Sequence, residues 1–350
     1  MKKNIIFFIV FGFSHFLIGQ NIDVSAVERY FKMTDSLKND NPLSKSTWES
    51  FLNMNGLKLY AANQGFDKAY LELYRASMEI VYMPKNDSTL KIQLKKPEKY
   101  FLVHIINQYK VHEQAFKSYI KNIEQDKEGY IRTMYKNCYD VLPKRMHKMA
   151  ENSTLYFIPI FSDAVAEDKD VVVTLFCAYF MDKIKNGAVL GHEIHHVLRK
   201  NKTMTAGVDS ALYVILTQIL NEGSADLIDK KLTEKPECPD ELKYSEYILA
   251  YSEGMVGKLD TAILNHINKS AAITKKEISD IAPMSGHVPG YYMALVIDRN
   301  GFRKNLIKAI DDPIQFILLY NKAAKMDAEK PHVISEISIN YLKKIKQNKT

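Results

Sequence analysis

The residues Gly191-His192-Glu193-Ile194-His195-His196-Val197-Leu198 decide how this chain of 350 residues is to be read. A helix advances about 100° per residue, so His192 and His196, four apart, stand one above the other on a single face. Two imidazole nitrogens can thus be offered to one metal ion, and Glu193, one step round, can reach a water beside it. Ala188, Val189, Leu190, Ile194, Val197 and Leu198 give such a helix apolar surface to bury, and Asn186-Gly187 marks its start. His195 points about 100° away from His196 and is expected to pack or to support a neighbour, not to ligate.

The H-E-x-x-H spacing is an established signature of zinc metalloproteases, but ordinary surface helices also carry His and Glu, so the motif needs support from elsewhere. Catalytic zinc normally keeps three protein ligands and a water. The best third candidate is Glu222, in Asn221-Glu222-Gly223-Ser224-Ala225-Asp226, 26 residues beyond His196. That separation suits a turn after the first helix and a return on a second. Asp226, four residues further, shares the face of Glu222 and is expected to accept a ring N–H from a ligating histidine, fixing its tautomer. Two carboxylates so placed repel each other unless positive charge lies close, which a metal with its histidines would supply. The alternative, an acidic face in solvent, sits poorly with the flanking Leu220, Ala225, Leu227 and Ile228.

His192-Glu193-x-x-His196 followed by Asn221-Glu222-x-x-x-Asp226 resembles the gluzincin metallopeptidases, the thermolysin-like clan. The chain is also similar to a bacterial family of zinc-dependent peptidases without an assigned substrate. The resemblance covers about Leu190 to Asp229 and does not reach the first third of the chain. It implies Zn2+ held by His192, His196 and Glu222, Glu193 as general base, Asp226 supporting a histidine, and a peptide or protein substrate. It further implies a later His or Tyr that stabilises the oxyanion. Gly286-His287-Val288-Pro289-Gly290-Tyr291-Tyr292 offers both kinds, His287 and Tyr291 first and Tyr292 next, although the same stretch also reads as an ordinary turn into a buried helix. The Gly-x-Met-Glu-Asn segment of the clan's aminopeptidases is absent, which favours endopeptidase action. A third histidine of the metzincin kind is absent too. Two rival readings share the motif: an exported protein that binds zinc without catalysis, and an amide or ester hydrolase on the same scaffold. Glu193 argues against the first, since a structural site needs no base.

Residues 1–19 read as a secretory leader, with Lys2 and Lys3 ahead of an apolar run from Ile5 to Ile18 and a cut near Gly19 or Gln20. The mature chain is then expected to be exported, periplasmic or extracellular, without stable membrane insertion after cleavage. Without those two lysines the formal charge of +7 falls to +5. So mild and dispersed an excess does not point to nucleic acid. A hydrophobic share of 46% with 25% charged residues belongs to a folded globular protein. Cys138, Cys177 and Cys238 are too few and too scattered for a disulfide framework or a cysteine zinc site, and Cys177 reads as a buried small hydrophobe.

The fold class expected is α+β, predominantly α-helical: a helical region over 20–150, then a zincin-like region over 151–350 in which a short β-sheet precedes the His192 helix. Three- and four-residue apolar spacing predicts helices over Val24–Leu37, Thr47–Ala62 and Phe66–Met83, a polar connection over Pro84–Lys99, and a long pattern from Tyr100 to Val141 interrupted near Lys127-Glu128-Gly129. Leu155–Phe161 and Val171–Phe176 read as strands joined by an acidic loop from Asp163 to Asp170. Pro159 makes the first an edge or a broken strand, able to pair with an extended peptide. Helices are expected again over Val208–Lys230 and Glu241–His266, with shorter ones to Ile345.

Overall fold

The computed structural model describes residues 20–199, 207, 209–269 and 273–347. The leader read in residues 1–19 lies outside them. Four strands, β1 (Gln20–Asp23), β2 (Ser153–Ile158), β3 (Ala164–Glu167) and β4 (Asp170–Thr174), form one mixed sheet in the order β1-β2-β4-β3. Helices make up most of the rest, as the apolar spacing requires.

Two expectations about the strands change. β2 is interior, paired in parallel with β1 (Ile22 with Leu155) and with β4 (Tyr156 with Val172). It ends at Ile158, so Pro159, which lacks an N–H for a ladder, falls outside the sheet and not on its edge. The run read as an acidic loop holds β3, antiparallel to β4 on one side only, and β3 is the edge strand near the His192 helix. Between β2 and β3, Phe161 adopts a left-handed backbone, φ 63°, costly for an aromatic residue. Tyr109 holds it there by donating its hydroxyl to the Phe161 carbonyl at 2.9 Å, while Phe66 and Phe101 pack on the ring. β4 stops at Thr174, whose hydroxyl caps helix α1 (Leu175–Ile184).

In the first 150 residues the helices fall mostly where predicted, with finer breaks. The Thr47–Ala62 pattern divides into Lys45–Leu52 and Asn55–Asn63, and the polar connection contains a short helix, Asp87–Gln93. The long pattern divides into Phe101–Val111, Glu113–Gln125 and Lys127–Tyr139, the last capped by Asp126. Tyr119 and Tyr130 from two of these donate their hydroxyls to Asp182 of α1 at 2.6 and 2.8 Å. The other Asp182 oxygen accepts from the backbone of Gly187, the left-handed residue that opens α2 (Ala188–Leu198). The helix carrying the two histidines is thereby pinned at its start.

Burial pushes the Asp182 carboxyl up to about 6. Because the folded value is raised, the folded state binds more protons than the unfolded chain between about pH 4 and 6, and stability falls as pH rises through that window. Asp182→Asn, which cannot ionise, is expected to remove on the order of 2 kcal/mol of that fall. Thermal melts of both proteins from pH 4 to 7 test it; parallel curves would exclude Asp182 as the source.

Two large apolar clusters fill the molecule. The first surrounds the sheet, is drawn mainly from Ile22 to Leu198, and includes Val189, Leu190, Ile194 and Leu198 of α2. The second runs from Leu212 to Ile345 and is built on α3 (Ser210–Asp229), α4 (Tyr244–Lys269) and α5 (His287–Arg299), with the helices that follow. Gly254 and Gly257 lie within α4 without ending it. Cys138, Cys177 and Cys238 are free and buried. Among the described residues no helix is long and apolar enough to cross a membrane.

α3 and α5 meet at two glycines. A Cβ on Gly223 would collide with the carbonyl oxygen of Gly290, and one on Gly290 with that of Ile219. Only glycine permits so close a crossing. Gly223→Ala is expected to cost about 1–3 kcal/mol in chemical denaturation, the usual range for overpacking, and to push α5 away from α3. An unchanged midpoint would show that the crossing relaxes freely.

Candidate metal centre

The site forms where α2 of the first cluster meets α3 and α5 of the second. His192 is buried, and its Nδ1 donates to Asp229 Oδ1 at 3.0 Å, leaving Nε2 free to face Glu222. His196, one turn on, points Nε2 at the same carboxylate. His287, the first residue of α5, presents its own Nε2 there, with Nδ1 held by both oxygens of Asp226 at 2.9 and 3.0 Å. Three ring nitrogens thus converge on Glu222 Oε2, at 3.7 Å from His192, 3.2 Å from His196 and 3.3 Å from His287. That oxygen is buried and has no hydrogen-bond partner.

This arrangement fits a zinc ion. Zinc takes imidazole nitrogen and carboxylate oxygen at about 2.0–2.1 Å, so tetrahedral donors stand about 3.3 Å apart. The three separations from Glu222 Oε2 bracket that value. The donors here that all lie within metal-holding reach of one another are those of His192, Glu222 and His287, and His196 faces the same Glu222 oxygen at 3.2 Å. The orphaned Glu222 oxygen is explained if a cation, and not a proton donor, is its partner.

His192 lies in a second close group with Asp226 and Asp229. Here the positive charge is already present. Lys230, partly buried against them, places Nζ 3.2 Å from Asp229 and 3.5 Å from Asp226. Burial opposes the charge on Lys230, but the two aspartates hold its pKa well above the ordinary lysine value. In the same way burial alone would lift Asp229, and Lys230 and His192 keep it ionised. Glu222 is likewise held well below the usual carboxylate range by His196 and His287 against the effect of burial.

A cleft of about 500 Å3 opens over these groups, lined by His192, Glu193, His196, Glu222 and His287, by Asp163 to Ala166 of the β3 edge, and by Asn63 and Gln64 of the N-terminal region. A roomier groove of about 680 Å3 lies elsewhere, over Tyr119, Tyr130 and Lys183. It has no comparable convergence of donors, so chemistry and not size identifies the site. Glu193 stands in the cleft wall beside the histidines. Burial raises its pKa, and His192 and His196 partly offset the rise.

The structure brings together His192, Glu193, His196, Glu222, Asp226 and His287. Asp226 differs from expectation in its partner: it orients His287, and the residue that orients His192 is Asp229. The signal for Asp229 was present, since it lies seven residues after Glu222, two turns along one face. Tyr291 is not brought to the site. Its ring is fully buried among Ile248 and Val288 and it does not line the cleft. Four residues after His287 it shares that histidine's face of α5, but its hydroxyl is buried without a hydrogen-bond partner. The tyrosine in the cleft wall is Tyr244, which donates to the Ser162 carbonyl at 3.2 Å, and no motif marked it. His195 is buried beside the Ser224 hydroxyl, as a packing residue.

A protein-family model described as "Putative zinc dependent peptidase (DUF5700)" matches residues 48–329. The match takes in most of both apolar clusters and most of the N-terminal helices, well beyond the stretch from Leu190 to Asp229. No curated protein and no solved structure matches the chain.

Proposed function

The chain belongs to this family of zinc-dependent peptidases, and from that premise we propose that it is an exported metallopeptidase of the gluzincin kind. Its zinc ligands are His192, His196 and Glu222, its general base is Glu193, and its oxyanion donor is His287. The observation that carries this reading is the convergence of three imidazole Nε2 atoms on the unpartnered Glu222 Oε2. A zinc ion bound there supplies Lewis acidity, polarising a scissile carbonyl and bringing the pKa of water towards about 7.

The chain's own residues do the rest. Glu193 takes a proton from the attacking water and returns it to the leaving amine. Asp229 holds His192 in the tautomer whose bare Nε2 faces the cleft, and Asp226 accepts from His287 Nδ1 and so aims that ring's Nε2 into the cleft. His287, with Asp226 and Glu222 opposing the effect of burial to raise its pKa, donates an N–H where negative charge develops. The β3 edge along the cleft wall supplies main-chain groups to which an extended peptide can add as a further strand. The leader read in residues 1–19 supports export, and the lack of an amino-terminus-binding segment supports endopeptidase action.

The test is metal analysis by mass spectrometry together with a peptide-library digest, run with and without a chelator. One zinc per chain and chelator-sensitive cleavage within peptides are expected. Zinc without hydrolysis of any substrate would make it a binding protein; turnover of small amides or esters alone would make it a hydrolase of another class.

A further inference from the structure

Next to Glu193 a second and much smaller cavity, of about 40 Å3, adjoins the cleft. Asp163, Ala164, Glu193, Lys230 and Tyr244 line both spaces, so the small one is a side chamber of the large one. Its inner wall is polar at Asp229 and Thr233 and apolar at Cys177 and Met181 of α1, Val189 of α2, and Leu242. The four apolar residues belong to the first apolar cluster and are at most 6% exposed, so that part of the wall is packed from behind and does not yield easily.

We infer that this chamber receives the side chain of one of the two residues flanking the scissile bond, and that its size restricts that residue to a small one. The inference rests on the peptidase reading and adds a substrate class to it. Its position follows from two of the lining residues: Glu193, the base beside the bond to be cut, and Ala164, on the edge strand along which the peptide would lie. A peptide paired to an edge strand turns alternate side chains to the same side, so one residue next to the cleaved bond faces the chamber.

Its size decides which residue. A water-sized group needs about 10–15 Å3 of such space, so 40 Å3 takes roughly three heavy atoms. Alanine, serine, cysteine, threonine and valine have three side-chain heavy atoms or fewer. Leucine, aspartate and asparagine have four, and phenylalanine has seven. The larger ones enter only by displacing Met181 or Leu242 from a packed core.

The test uses the zinc-loaded full chain. A peptide mixture read by mass spectrometry first locates the cleaved bonds, and single peptides varied at each flank then give kcat/KM. At one flank alanine, serine and valine are expected to exceed leucine and phenylalanine by tenfold or more. Met181→Ala, which opens the inner wall, is expected to raise the leucine-to-alanine ratio at that flank by tenfold or more and leave the other flank unchanged. Leu242→Ala repeats the test at a second point of the wall, with circular dichroism showing which variant is folded. Calorimetric binding of uncleaved peptides to Glu193→Gln protein is expected to follow the same order. Equal rates for alanine and leucine at both flanks, or an unchanged ratio in a folded variant, overturn the chamber and leave the peptidase reading standing. Failure of the zinc-loaded chain to cut any peptide overturns both.

Discussion

Glu193→Gln is expected to bind zinc as the unaltered protein does and to hydrolyse peptides roughly 10²–10⁴-fold more slowly, the contribution of a positioned general base. Glutamine keeps the shape and burial of the side chain but cannot accept the proton. Glu193 is a clean target because it stands in the cleft wall outside the group of donors around Glu222, so its loss leaves that group whole. The measurements are kcat/KM on a cleaved peptide and zinc per chain on the same preparation. Normal turnover by a zinc-replete Glu193→Gln protein would move the base to another residue and sink the mechanism.

Glu222→Ala is expected to lose zinc almost entirely. It removes the one anionic donor of the set and leaves imidazoles facing each other across a cavity. The expectation is stronger than for the aspartates behind the histidines. Asp229→Asn keeps all the donors and only loosens His192, so a 10–100-fold fall in zinc affinity is the expected scale. Competition with a calibrated chelator separates the two cases. Zinc retained at full stoichiometry by Glu222→Ala would shift the third ligand to His287, whose Nε2 lies 3.3 Å from the lost carboxylate and whose ring Asp226 already holds.

Much of the site was legible because it rests on local geometry. The four-residue spacing of His192 and His196, and of Glu222 and Asp226, is a property of any helix that contains them. Asn186-Gly187 as the start of α2 needed only the left-handed preference of glycine. The predominance of helix followed from apolar spacing along the chain.

The misplacements share a different cause. β1 pairs with β2 across more than a hundred intervening residues, and nothing in Gln20-Asn21-Ile22-Asp23 names its partner. β3 lay concealed in an acidic run because its side chains are only partly buried, so hydrophobic alternation was not required of it. Tyr291 and Tyr244 differ not in residue type but in packing: the first is fully buried and the second lines the cleft, and residue spacing does not reveal which.

The residues and their spacing were enough to read a mostly helical protein with an H-E-x-x-H helix, a carboxylate-bearing partner helix and the residue types of hydrolytic chemistry. Short-range periodicity specifies which side chains share a face. Only in the folded chain does it emerge that Asp229 serves His192 while Asp226 serves His287, that Lys230 neutralises the pair, and that the edge strand runs along the cleft. Those assignments depend on how closely two helices approach and at what angle, and that distance is set by packing between residues far apart in the chain.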